Sequence, residues 1–183
     1  MLILTAIRVG KDGTVDKIQN RFLVPVMVTV LGALWAGPAL GATRTWIGNT
    51  DTNWNTSGNW NEGAVGSDNT PVFGTSGSSG ATLNNDVAAL NTFAGITFNN
   101  SASSFTIGGN SITLSGGITV GTGITSETIN LPITLSGTYS YNVNSGTLTL
   151  GGVIGGAQGM TKDGAGTLTV TQGLRKGTVI IVK

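Results

Sequence analysis

The sequence predicts an all-β chain, with a solenoid of stacked β-rungs over residues 95–170. Three observations carry this. Short runs of apolar residues around a threonine recur: ITF at 96–98, FTI at 105–107, ITL at 112–114, ITV at 118–120, ITL at 133–135, LTL at 148–150 and LTV at 168–170. That is period two, the alternation of strands with one buried face. Between the runs stand Gly, Asn and Ser, which turn the chain. Leu114, Leu135, Leu150 and Leu168 close or nearly close four runs, at spacings of 21, 15 and 18 residues, a rough period of one rung.

Composition narrows the chemistry. Nine basic and eight acidic residues leave a net charge of +1, and Glu127 is the only charge from Val87 to Thr161. No basic patch is present to hold a phosphate backbone, which argues against a nucleic-acid partner. With no cysteine there is no disulfide scaffold and no thiolate metal site. With no histidine the commonest catalytic base near neutral pH is missing.

Residues 1–42 are expected to be a signal peptide with an extended N-terminal region. Arg8, Lys11, Lys17 and Arg21 form a charged front, and residues 22–42 are uncharged throughout. The run is long enough to span a membrane. A secretory signal fits better: an apolar core from Phe22 to Trp35, a break at Pro38 and a small-residue exit, with cleavage after Gly41 or Ala42. Only Arg44 follows, so there is no basic stop-transfer cluster.

Residues 43–94 read as a tryptophan-rich cap and lead-in segment. Trp46, Trp54 and Trp60 lie among Asn, Gly and Thr. Indoles beside turn residues suit a compact packed cap. The functional alternative is a carbohydrate-stacking platform, which requires exposed ring faces. Pro71, Val72 and Phe73 fit an edge strand. Leu83, Val87, Leu90 and Phe93 are expected to bury one face, in strands and turns rather than a helix.

Along 95–170 the positions expected to face inward are Ile96, Phe98, Phe105, Ile107, Ile112, Leu114, Ile118, Val120, Ile129, Leu131, Ile133, Leu135, Tyr139, Tyr141, Leu148, Leu150 and Val153. The threonines between them face out. Pro132 belongs at a corner because it lacks an N–H. Residues 171–183 hold a divergent terminal strand over 178–182, flanked by Arg175, Lys176 and Lys183.

One stretch carries a family resemblance. Met160-Thr161-Lys162-Asp163-Gly164-Ala165-Gly166-Thr167-Leu168-Thr169-Val170 resembles the autotransporter-associated β-strand repeat, whose pattern is L-T-K-x-G-x-G-T-L-x-L. Thr161, Lys162, Gly164, Gly166, Thr167 and Leu168 match it, while Met160 and Val170 replace its first and last Leu. Gly146-Thr147-Leu148-Thr149-Leu150 is a weaker copy. The resemblance implies a right-handed parallel β-helix, secreted and exposed at the bacterial cell surface. It implies a structural or adhesive passenger-like segment with no active site and no cofactor. The chain has no room for a translocating outer-membrane barrel. The expectation is therefore a fragment parted from its transporter, or a short relative without one.

The alternative function is a carbohydrate-binding or polysaccharide-active β-helix. Its acidic residues would come from Asp51, Glu62, Asp68, Asp86, Glu127 and Asp163, as a pair about 5–9.5 Å apart. Neither a regular aspartate repeat for calcium nor a phosphate-binding loop is present. No catalytic, cofactor or metal residue is assigned. Expected partners are surface glycans or a host or matrix ligand, and self-association through an open C-terminal rung.

Overall fold

A computed structural model describes residues 7–9, 15–17, 41–175, 177 and 179–182. The chain divides into two units, Met1–Gly37 and Pro38–Lys183. In the first, β1 (Ile7–Val9) and β2 (Val15–Lys17) pair antiparallel. Of the expected signal peptide 1–42, the apolar stretch 22–40 lies outside the described residues. Among the described residues no helix is long and apolar enough to cross a membrane.

The second unit is a parallel β-solenoid of about five turns. It starts with β3 (Thr43–Thr45) and a single 3-10 turn at Ser57–Asn59. Each of the first four turns then lays down three strands. The first turn is β4 (Thr70–Phe73), β5 (Thr82–Asn85) and β6 (Asn91–Phe93). The second is β7 (Ile96–Phe98), β8 (Thr106–Gly109) and β9 (Ile112–Leu114). The third is β10 (Ile118–Val120), β11 (Ser126–Ile129) and β12 (Ile133–Leu135). The fourth is β13 (Tyr139–Val143), β14 (Thr147–Leu150) and β15 (Ile154–Gly155). The fifth is β16 (Gly159–Asp163) and β17 (Thr167–Val170), with Leu174 bridging to Ile154 in the third position. Finally β18 (Val179–Val182) stacks on β16. Like strands stack into three parallel sheets of seven, five and four strands.

A local alternation becomes a core because register puts like on like. Phe73, Phe98, Val120 and Val143 form one inward column. Leu83, Ile107, Ile129, Leu150 and Val170 form another. Ile112, Ile133 and Ile154 form a third. Most of these side chains are fully buried, so the apolar surface is spent inside the tube.

Several expectations change. The first rung is complete before residue 95, since β4, β5 and β6 already occupy all three sheets. Leu114 and Leu135 are rung mates, 21 residues apart, but Leu150 pairs with Ile129 in a different sheet. The 15-residue spacing thus runs across a corner. Pro71 lies one strand in from the edge, opposite Arg44 of β3. Leu90 is 59% exposed, because it makes a left-handed corner at φ 61° while its N–H donates to the Ser111 carbonyl. Val153 is only half-buried, and Ile154 takes the inward place. Pro132 does sit at a corner, just ahead of β12, where its carbonyl accepts from Ile112.

The corners depend on close backbone approach. A Cβ on Gly116 would lie 1.8 Å from the Ala94 carbonyl oxygen, so no larger residue fits there. Gly164, within the repeat-like motif, has φ +87°, and its Cβ would lie 2.3 Å from the Val143 oxygen.

Candidate functional site

The tryptophans are the first site residues to place. Trp46, Trp54 and Trp60 are 2%, 0% and 3% exposed. Trp60 meets Trp46 edge-on at 5.1 Å and Trp54 edge-on at 6.0 Å. Trp54 packs on Phe73 and Phe93, and Phe73 stacks on Phe98 at 5.4 Å. The rings therefore plug the first turn and run on into the core. The carbohydrate-stacking platform at Trp46, Trp54 and Trp60 has no exposed ring face to offer, because all three indoles are consumed in closing the solenoid.

The loop that carries these rings is tied around Asn59, which is fully buried. Its Oδ1 accepts from the N–H of Thr50 and of Asp51, and its Nδ2 donates to Asp51 Oδ1 at 2.7 Å and to the Asn53 carbonyl. Asp51 also accepts from the Asn53 N–H and the Thr56 hydroxyl. The Asn53 N–H and these further hydrogen bonds, partly opposed by desolvation, hold the Asp51 carboxyl below its ordinary pKa.

Three further carboxylates are also engaged. Glu62 Oε2 accepts from the Thr45 N–H, Asp86 from the Asn55 N–H and Asp163 from the Ser140 hydroxyl. Among the described residues no group of three metal-ligating side chains comes together.

The motif residues form a strand–turn–strand across two sheets. Thr161 lies on the outer side of β16, and Thr167 and Leu168 belong to β17. Gly164 and Gly166 make the turn between them. Lys162 is buried and takes the inward register place beside Tyr141, with its ammonium donating to the Gly164 carbonyl. The lysine thus ties the turn from inside.

Glu127 was not singled out as an inward residue, yet it is fully buried. Its Oε2 accepts from the Phe105 N–H at 2.8 Å, and its Oε1 has no partner among the described residues. Burial pushes its pKa up to about 8, against the smaller opposing effect of the Phe105 N–H. The signal was there in Ser126-Glu127-Thr128-Ile129: Ile129 faces in, so Glu127 two places earlier does too.

The outer faces differ between the sheets. On the five-stranded sheet, Thr82, Thr106, Thr128, Thr149 and Thr169 are successive register partners. Beside them Ser126, Thr147 and Thr167 make a second hydroxyl column. Among the described residues no protein group hydrogen-bonds these eight hydroxyls. On the four-stranded sheet the column Thr92, Thr113, Thr134 breaks at Gly155. On the seven-stranded sheet Thr97 and Thr119 give way to Asn142 and Asp163.

Open grooves among the described residues include two. One, of about 540 Å³, runs over the four-stranded sheet between Leu90, Pro132, Val153 and Arg175. The other, of about 400 Å³, lies at a corner beside Asn99, Asn100 and Asn144. Neither collects a titratable pair.

Set against profiles of protein families, curated proteins and solved structures, the chain matches none.

Proposed function

We propose that this chain is an exported structural or adhesive segment of a bacterial cell surface, without catalytic activity. The observation that supports this best is the placement of the motif Met160–Val170. It forms one strand–turn–strand step of a parallel solenoid, which is the role expected of an autotransporter-associated repeat. A solenoid presents long outer faces and concentrates its apolar side chains inside, so it serves as a stalk or a contact surface. Surface glycans, or a host or matrix ligand, are the partners this reading assigns. The engagement of Asp51, Glu62, Asp86 and Asp163 in the protein's own hydrogen bonds weighs against polysaccharide hydrolysis, and the buried indoles weigh against sugar stacking.

The test is expression of the whole chain in a Gram-negative host, with fractionation, N-terminal sequencing and protease treatment of intact cells. The expected product begins after Gly41 or Ala42 and is cut by external protease. A product that retains residues 1–21 and stays in the cytosol overturns the reading.

A further inference from the structure

The outer face of the five-stranded sheet repeats one chemistry at every rung. Five threonines stand in one column, with a parallel column of Ser126, Thr147 and Thr167 one alternate residue away. Parallel pairing sets the spacing between rungs at about 4.8 Å, and alternate residues along a strand are separated by about 6.6 Å. The result is a two-dimensional lattice of hydroxyls and methyls. Threonine is stiff at χ1, so both groups are held in place before any partner arrives.

Three features restrict what such a lattice can bind. It is a sheet face and not a pocket, so nothing converges on a single small molecule. Its columns carry no charged residue, which excludes recognition of a polyanion or polycation by charge. They carry no aromatic ring, so stacking on the sugar faces of a polysaccharide is not available. The hydroxyls are also without protein partners among the described residues and can each donate and accept. A repeating neutral array of donors and acceptors is matched by a repeating neutral array of the same kind. Crystalline water is that partner: each contact is weak, but many positions engage together and their contributions multiply in the binding constant.

We propose that the threonine face of the five-stranded sheet, centred on Thr106, Thr128 and Thr149, binds ice. The proposal goes beyond the adhesive reading and does not depend on export, since it concerns the folded protein in solution. The seven-stranded sheet, broken by Asn142 and Asp163, and the four-stranded sheet, broken by Gly155, are not expected to bind.

The test grows ice slowly from a dilute solution of the full-length protein, measures its partition between ice and liquid, and records crystal shape. The protein is expected to enrich in the ice and to facet the crystals. Thr128→Tyr places a bulky ring on the face and is expected to lower the ice-bound fraction several-fold. Thr113→Tyr, on the outer face of the four-stranded sheet, is expected to leave it unchanged. Circular dichroism checks folding, and Thr128→Lys, a soluble residue at the same half-buried, outward-facing position, serves if the tyrosine variant fails to fold. A wild-type protein excluded from ice like an inert protein of its size overturns the proposal. Equal losses from Thr113→Tyr and Thr128→Tyr also overturn it. Retention on crystalline cellulose or chitin, with exclusion from ice, overturns it in favour of a polysaccharide.

Discussion

Glu127 gives the protein a stability that depends on pH in an unusual direction. In the folded chain its carboxyl lies in the inward column between Phe105 and Leu148, sealed from water. Burial raises its pKa from the ordinary 4.5 to about 8. Between those values the folded state holds a proton that the unfolded state has released. Stability is therefore fully present below about pH 4.5, falls as pH rises, and is lost by about pH 8. At about 1.36 kcal/mol per pKa unit, the full shift sets a ceiling of about 5 kcal/mol. Asp51 acts in the opposite sense: its lowered pKa adds stability at neutral pH that is lost as pH falls through the acid range. The assay is urea unfolding of the full-length protein from about pH 5 to about pH 9, read by far-ultraviolet circular dichroism, where the midpoint tracks stability. The wild-type midpoint is expected to fall from about pH 5 to about pH 8 and to level off above that. Glu127→Gln keeps an acceptor for the Phe105 N–H and cannot ionise, so its midpoint should be nearly flat and should exceed the wild type at the alkaline end. A wild-type midpoint that is level or rises with pH refutes the reasoning, as does an equal slope in the glutamine variant.

Three further outcomes follow from packing. Trp54→Ala empties the centre of the aromatic plug and should cost about 3–5 kcal/mol, seen as a lower melting temperature and a weaker near-ultraviolet signal. Gly164→Ala forces a left-handed residue against the Val143 carbonyl and should cost more than about 1 kcal/mol by the same melt, whereas Gly173→Ala, with open space around it, should be close to neutral. Removing residues 178–183 takes away β18, which covers one edge of β16, and should increase self-association in sedimentation, most of all at high salt; an unchanged or smaller aggregate would mean that β18 is itself the sticky edge.

Much of the rung interior was readable because strand alternation is local. Once Ile133 and Leu135 are taken as inward, Thr134 must face out, whatever the rest of the chain does. The same parity marks Glu127 as interior, against the usual habit of reading a glutamate as surface. Leu90 shows the limit of parity: it stands among apolar residues with helical or strand spacing, but a left-handed corner turns it outward. The tryptophans show another limit. Their clustering was visible, yet burial depended on Phe73 and Phe93 from two strands of the first turn, with Phe98 from the second stacked on Phe73.

By itself the sequence determined the all-β character, the alternating faces and the glycine corners, because each rests on neighbours two or three residues apart. Only the tertiary structure decided which strands stack. Thr82 and Thr106 are 24 residues apart, Thr106 and Thr128 are 22, Thr128 and Thr149 are 21, and Thr149 and Thr169 are 20. The period drifts because corner loops differ in length, while hydrogen bonds to the rung above and below hold the strands in step. A column of five threonines therefore exists only after folding: parity turns each one outward, but register alone aligns them.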